Sequence, residues 1–491
     1  MLPRVWIFVL VTALGPSPGH AQAPAENPPA PLPPPAATEP ELPNAPAPVP
    51  PPALPMVDSI AALKIAINAA APGDTITLKN GSYTTTGAIT VKSRGAAAQP
   101  IIIAAESIGG VELGGAGGFN FVEPAAHVVV TGFTFTHAAG KNTIGEGTVG
   151  VRFTRNIFRC SGDGTYLSVT GDDAQVDHND FGDKKTTGNM IAVAGTGSQI
   201  ARRLWIHHNY FHDVTYPGPT GAEMIRFGLT ALSQSTGAGL VEHNLFARCR
   251  GQNEFISNRS CGNTYRFNTF LDAPNSQFTL RHGHDCIVVG NIFLHTEGLR
   301  VFGDRHQVFS NYFEGNYIGV TLGNGSVEVA DGGAVAGHDR PDDCVIAFNT
   351  FVDNRTHYQM SRRTPEALGA TNTTFANNIL LGGGVAAKIE GPYTGAVWLG
   401  NLLWNPASPG DLPANSYLKI DPLLAPGPDG LRRLQPGSPA IEAAPGSFPL
   451  VVFDLDGQPR SEKKTIGADE ISAAPATARL LTPANVGPAS E

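Results

Sequence analysis

The chain has 491 residues, of which 57 are Gly and 41 Pro, with 15% charged residues and a formal net charge of −9 at pH 7. That length permits several domains, but a composition rich in turn formers and poor in helix formers points to one long β-rich domain. The negative balance excludes nucleic acid, which needs a basic surface, and admits an acidic polymer only where basic residues gather locally.

Met1–Ala23 reads as a secretory signal, with Arg4 ahead of the apolar run Val5–Leu14 and small residues at Ala21 and Ala23. The run is too short to span a bilayer and no lipobox cysteine follows. The expected product is therefore periplasmic or secreted, without membrane insertion. Residues 24–56 carry 15 Pro in 33 positions and read as an extended, passive linker.

From Ser59 a short helix is expected, with Ile60, Leu63 and Ile67 on one face and a stop before Pro72-Gly73. Short strands follow at Thr75–Leu78, Ser82–Thr84, Ile89–Val91 and Ile101–Ala104, with a turn at Asn80-Gly81. A helix ahead of such strands suits a cap, which covers the open edge of a first coil.

A repeat then runs through the chain: Asn, any residue, then Phe or Leu. It recurs at Asn156, Asn179, Asn209, Asn244, Asn268, Asn291, Asn311, Asn349, Asn378 and Asn401, with a base interval of about 23 residues. Fixed-period self-similarity means stacked units. The predicted fold is all-β, a single right-handed parallel β-helix over 57–471 with an N-terminal cap helix. Its aromatic residues stack inside, and its asparagines sit at turns where they tolerate left-handed geometry and bond along the stack. Insertions at 182–205, 212–240, 314–345 and 353–373 are expected to line a binding face. Residues 421–470 close the domain, and 472–491, rich in Ala and Pro, read as a disordered tail. Cys160, Cys249, Cys261, Cys286 and Cys344 form no CxxC pair and are expected as buried free thiols.

The chemistry concentrates in Gly251–Gly283. Glu254 stands beside Gln252, and Arg259 and Arg281 follow in strand-like contexts. Between Arg248 and Arg305 seven arginines face five acids. A carboxylate and two guanidinium groups on stacked strands suit a site that grips a carboxylate-bearing sugar. Arg259 follows Asn244 by 15 residues and Arg281 follows Asn268 by 13, a similar phase on adjacent coils. Strict alternation puts Glu254 and Arg259 on opposite faces, so a bend near Ser257-Asn258 is required. Read as structure alone, the two arginines are ladder ion pairs and Glu254 is an arginine partner. Glu223 is then a residue that orients an arginine, and Arg362-Arg363 is solvated surface.

The stretches Glu254–Ser260, Cys261–Phe270 and Leu280–Gly283 resemble polysaccharide lyase family 6, which contains alginate lyases and chondroitinase B. The likeness extends to Ala69–Tyr83, Gly182–Gly188, Glu223–Gly228, Gly298–Gly303, His306 and Asn311–Phe313, so it spans roughly 57–471. The resemblance implies a β-helix that cleaves a uronate polymer by β-elimination. A base removes the C5 proton, an acid serves the glycosidic oxygen, and calcium neutralises the carboxylate. Arg281 matches the family's arginine at the leaving oxygen. Arg259 stands where the family has its lysine base. Glu254 matches one calcium ligand, while Gln252 and Thr220-Gly221-Ala222 depart from two others. A single carboxylate with amide and hydroxyl neighbours is a poor site for a cation wanting six to eight oxygens, so calcium is expected to be weak or not required. The expected partner is an acidic polysaccharide, alginate first, bound by a monomer. His282, Arg226, Arg300 and His306 are expected to contact it. Arg259 acts as the base, or it clamps the carboxylate while His282, His284 or Tyr265 takes the proton. A C5-epimerase, a glycosaminoglycan lyase and a non-catalytic glycan-binding β-helix are the alternatives.

Overall fold

Alternation builds the fold. In each short strand every second residue points inward, and parallel register stacks like on like. Ile76 pairs with Ile103, Ile103 with Val130, Val130 with Phe153, and Phe153 with Val176. All five are fully buried. Repeating this on three faces gives three parallel sheets of 13, 14 and 13 strands, the right-handed parallel β-helix expected. The computed structural model describes residues 56–491 apart from 139–140, 217, 219–220, 251–252, 362–367 and 391–392. The signal, all but the last residue of the linker, Gln252, Thr220 and the Arg362-Arg363 pair lie outside the described residues. No helix among those described is long and apolar enough to cross a membrane.

The cap helix spans Ile60–Ala69, with the Ser59 side chain accepting from the Ala62 amide and Leu63 and Ile67 buried. The Phe of the repeat forms one column in the second sheet. Phe158, Phe181, Phe211, Phe246, Phe270 and Phe293 stack with centroids 4.4 to 5.0 Å apart, and all are fully buried. The five cysteines are buried and free, as expected.

The asparagines form a buried ladder at the turn between the first and second sheets. Asn268 Nδ2 donates to the Val241 carbonyl at 2.9 Å and to Asn291 Oδ1 at 2.9 Å. Its own Oδ1 accepts from the Asn244 amide at 3.0 Å. Turn groups that water cannot reach are thus satisfied along the stack. The left-handed residue is the one before each asparagine rather than the asparagine itself: Arg155, His178, His208, His243 and Phe267 have φ between 51° and 57°. The asparagine side chain is therefore left to bond along the axis.

The expectation of a disordered tail is corrected. Residues 472–491 run back over the second sheet as an ordered strap. Leu481 and Val486 pack with Leu245 and Ala247. The Leu481 amide donates to Thr269 Oγ1 at 3.1 Å, and Arg155 Nη1 donates to the carbonyls of Pro488 and Ser490, both at 2.7 Å. Composition concealed this because three or four apolar residues suffice when an apolar stripe is already built beneath them. At about 1.5–3 kcal/mol for each buried Leu or Val side chain, deleting 472–491 should cost roughly 4 kcal/mol. Thermal unfolding should then show a midpoint lower by on the order of 5 °C; an unchanged midpoint would mean that the strap contributes nothing.

Candidate active site

Four arginines stand on four consecutive strands of the third sheet. Arg226 lies on Ile225–Phe227, Arg259 on Glu254–Arg259, Arg281 on Gln277–His282 and Arg300 on Leu299–Val301. Strict alternation would scatter the site, and two irregularities prevent this. Between Glu254 and Ile256 the register slips by one, and both Phe255 and Ile256 turn into the core. Glu254, Ser257 and Arg259 consequently share the outer face. The required bend is therefore real, but it sits at Phe255 rather than at Ser257-Asn258. A second slip pairs Arg259 with His282 instead of Arg281, so that His282 stands beside Arg259 in register.

Glu254 is the hinge of this arrangement. Its side chain is only 2% exposed, and Oε1 accepts from Arg281 Nη1 at 3.0 Å and from Arg300 Nη2 at 2.8 Å. Arg259 has no such partner among the described residues. Burial, and then the neighbouring Arg281 charge, hold its guanidinium below the usual arginine range. Burial does the same to Arg226, whose nearest opposing charge is Glu223. Glu223 in turn accepts from Asn189 Nδ2 at 2.6 Å. His282 is pushed down to about 4 by burial and by Arg259 and Arg281, which keeps its imidazole neutral at ordinary pH.

Buried polar atoms without a hydrogen-bond partner converge on this face. Arg226 Nε, Ser257 Oγ, Arg259 Nε, Thr279 Oγ1 and His282 Nδ1 are among the few in the described residues. Arg226, Ser257 and Thr279 are direct neighbours across the strands. Native interiors rarely leave such atoms unpaired, and a cluster of them is the mark of a surface built to meet a polar ligand.

Residues 324–342 fold back over the strand ends. The His338 ring lies 5.4 Å from His282 and 4.5 Å from Phe302, and the Gly332 amide donates to Gln234 Oε1 at 3.1 Å. His338 had no signal in the sequence beyond its place in a long insertion, because the contact is made across several coils.

Three sequence readings are corrected. His306 cannot contact a ligand: it is fully buried, its Nδ1 accepts from the Cys286 amide and its Nε2 bonds the Phe302 carbonyl. Tyr265 is a core residue whose hydroxyl donates to Asn258 Oδ1 at 2.8 Å. His284 pairs with Asp285 and is raised to about 10, so it is a cation and not a base.

Among the described residues, with Gln252 and Thr220 outside them, the donors at Glu254 do not fit a divalent cation. Glu254 Oε1 already accepts from two guanidinium groups, and a dication beside them would meet like charge. Among the described residues, the three carboxylates close enough together to share an ion, Asp454, Asp456 and Asp469, lie in the C-terminal segment, where Arg433 bridges Asp456 and Asp469.

Residues 57–378 match the sequence profile of the chondroitinase B family, and no curated protein matches the chain. Among solved structures the β-helix is similar to that of the family 6 alginate lyase AlyGC, at 25% identity and a TM-score of 0.68. That match covers 78% of this chain and 55% of that one, so the chain spans little more than half of AlyGC. A mannuronic acid specific family 6 lyase from human gut microbiota is similar at 24% identity and a TM-score of 0.65, over 74% of this chain and 89% of that one. A family 6 alginate lyase solved with a trisaccharide is similar at 19% identity and 0.66, over 78% and 90%. The profile takes in well over half of the chain and the whole of the arginine face, and the chain belongs to the chondroitinase B family, polysaccharide lyase family 6.

Proposed function

We propose that the protein is an exported, monomeric lyase that cleaves a uronate polymer, alginate first, by β-elimination. The observation that carries this reading is the row of four arginines on consecutive coils, two of them fixed by the buried Glu254. Family membership and the alginate lyases among the similar structures support the substrate class. Removing the C5 proton of a uronate builds an enolate-like dianion, and catalysis needs positive charge placed beforehand where that charge develops. Arg300 and Arg281, held by Glu254, meet the sugar carboxylate. Arg281 also serves the departing glycosidic oxygen. Arg259, buried among cations and free of an ion pair among the described residues, takes the C5 proton as the neutral guanidine and becomes the guanidinium. A second reading gives the proton to His282, favoured by its neutral ring and unpaired Nδ1 beside Arg259.

The test is a panel of alginate, its two block types, and chondroitin and dermatan sulfates, followed by the ultraviolet absorbance of the new C4=C5 double bond. Absorbance on alginate is expected. Epimerised polymer without absorbance would indicate an epimerase, and binding without either change would indicate a glycan-binding protein.

The guanidinium groups take the place of calcium in this scheme. Activity should therefore persist in excess chelator, within about two-fold of the untreated enzyme. Complete loss in chelator, restored by added calcium, would overturn that part of the reading.

A further inference from the structure

We propose that Tyr317 and Arg355 form a distal sugar-binding platform that extends the arginine face toward the C-terminal coils and binds a uronate two to three residues from the cleaved bond. This rests on the lyase reading above and adds a binding site to it. The two side chains line a cleft of about 550 Å3 together with Asn275, His295, Glu297 and Asp353. Tyr317 is 47% exposed, an unusual state for a large aromatic residue in a fold that buries so many of its rings. The Arg355 guanidinium lies 4.5 Å from the centre of the Tyr317 ring. It makes no ion pair among the described residues, so its hydrogen-bonding edge is available to a carboxylate.

The platform is pre-built. Tyr317 and Arg355 directly follow two members of a second asparagine ladder, Asn316 and Asn354, both buried. Asn316 Nδ2 donates to Asn354 Oδ1 at 2.9 Å, and Asn316 Oδ1 accepts from the Thr296 amide at 2.8 Å. The Arg355 amide donates to the Asn316 carbonyl at 2.9 Å. The ladder sets the two residues on adjacent coils in fixed register, so little ordering cost remains when a ligand arrives.

The chemistry fits a uronate. A pyranose offers an apolar C–H face to an aromatic ring, and its hydroxyls bond planar amides and carboxylates such as Asn275 and Glu297. Glu297 lies within the influence of Arg300, which opposes its charge, and Asp353 Oδ1 accepts from the Gly383 amide at 3.1 Å. Position fits as well. Tyr317 leads the strand Ile318–Gly323, two strands beyond that of Arg281, and Arg355 leads the next one, Thr356–Ser361. At about 4.8 Å per coil these lie roughly 10 and 14 Å along the axis from Arg281, and they stand at the strand starts, the side on which Glu254 begins its own strand. An extended polymer advances about one pyranose per coil.

The test is kcat/KM across a size series of oligouronates, from the shortest one cleaved to the octamer, for wild type, Tyr317→Ala, Tyr317→Phe and Arg355→Ala. Both alanine variants should lose about ten-fold on pentamers and longer, through KM, and stay within two-fold of wild type on the shortest substrate. Tyr317→Phe should behave as wild type. Equal losses at every length, or no loss at any, would overturn the platform while leaving the lyase reading intact. If wild type forms no unsaturated product, the lyase reading falls instead, and calorimetric titration with a hexauronate decides the platform. Binding weakened about ten-fold by Tyr317→Ala upholds it, and unchanged binding overturns it.

Discussion

Arg281→Ala and Arg259→Ala are each expected to lower kcat/KM by about 10²-fold or more, with a much smaller loss of polymer binding, because each removes charge that matters most in the transition state. Arg281 is held by Glu254 at 3.0 Å, on the strand between those of Arg259 and Arg300. Arg259, like Arg226, makes no ion pair among the described residues, and its guanidinium is held below its usual range through burial and the adjacent Arg281 charge. Arg259→Lys separates its roles. A base should tolerate lysine, which deprotonates more easily and which the family carries at this position, so activity should be retained or rise. A bidentate clamp should not, because lysine lacks the planar fork. Poor activity in Arg259→Lys, joined to a 10²-fold loss in His282→Gln, would move the proton to His282. Wild-type rates in Arg259→Ala would remove that residue from the chemistry altogether.

Glu254→Ala should be nearly as severe for activity and worse for stability. The carboxylate is buried and compensates two guanidinium groups at once. Breaking a buried pair by removing one partner commonly costs about 3–5 kcal/mol, because the remaining charge is left uncompensated. The fold-level consequence should appear in denaturant unfolding as a lower midpoint at an unchanged slope. The activity loss, expected above 10-fold, follows from Arg281 and Arg300 losing their fixed geometry. If Glu254 instead served a calcium ion, the wild-type enzyme would be the one to fail in chelator. A stable, active Glu254→Ala variant would deny both roles.

The fold was legible because it rests on local, repeated chemistry. An asparagine that must bond along the stack can be seen at ten successive coils, and Phe or Leu two residues later fills the same column. Even the shared phase of Arg259 and Arg281 could be counted from the repeat. What could not be counted was parity within a strand. A one-residue slip at Phe255 reverses which side chains face outward, and nothing in the letters distinguishes a bulge from an uninterrupted strand there. His306 resembled a ligand-binding residue because sequence shows spacing without direction, and its ring faces backbone groups. His338 and the C-terminal strap were hidden for another reason. Their partners lie several coils or hundreds of residues away, where no periodic pattern reaches.

That strap changes how the whole solenoid should come apart. In a simple stack each coil touches only the next, so rungs can be shed one by one from either end. Here Arg155 binds carbonyls 333 and 335 residues further along the chain. The segment leading there also packs against Ile292, Tyr312 and Val352, and then against Leu245 and Ala247. Neither end can fray far without releasing this clasp, which converts a ladder of small steps into one cooperative event. A variant lacking residues 472–491 would keep every coil and every arginine of the third sheet, yet its rungs would be free to open one at a time.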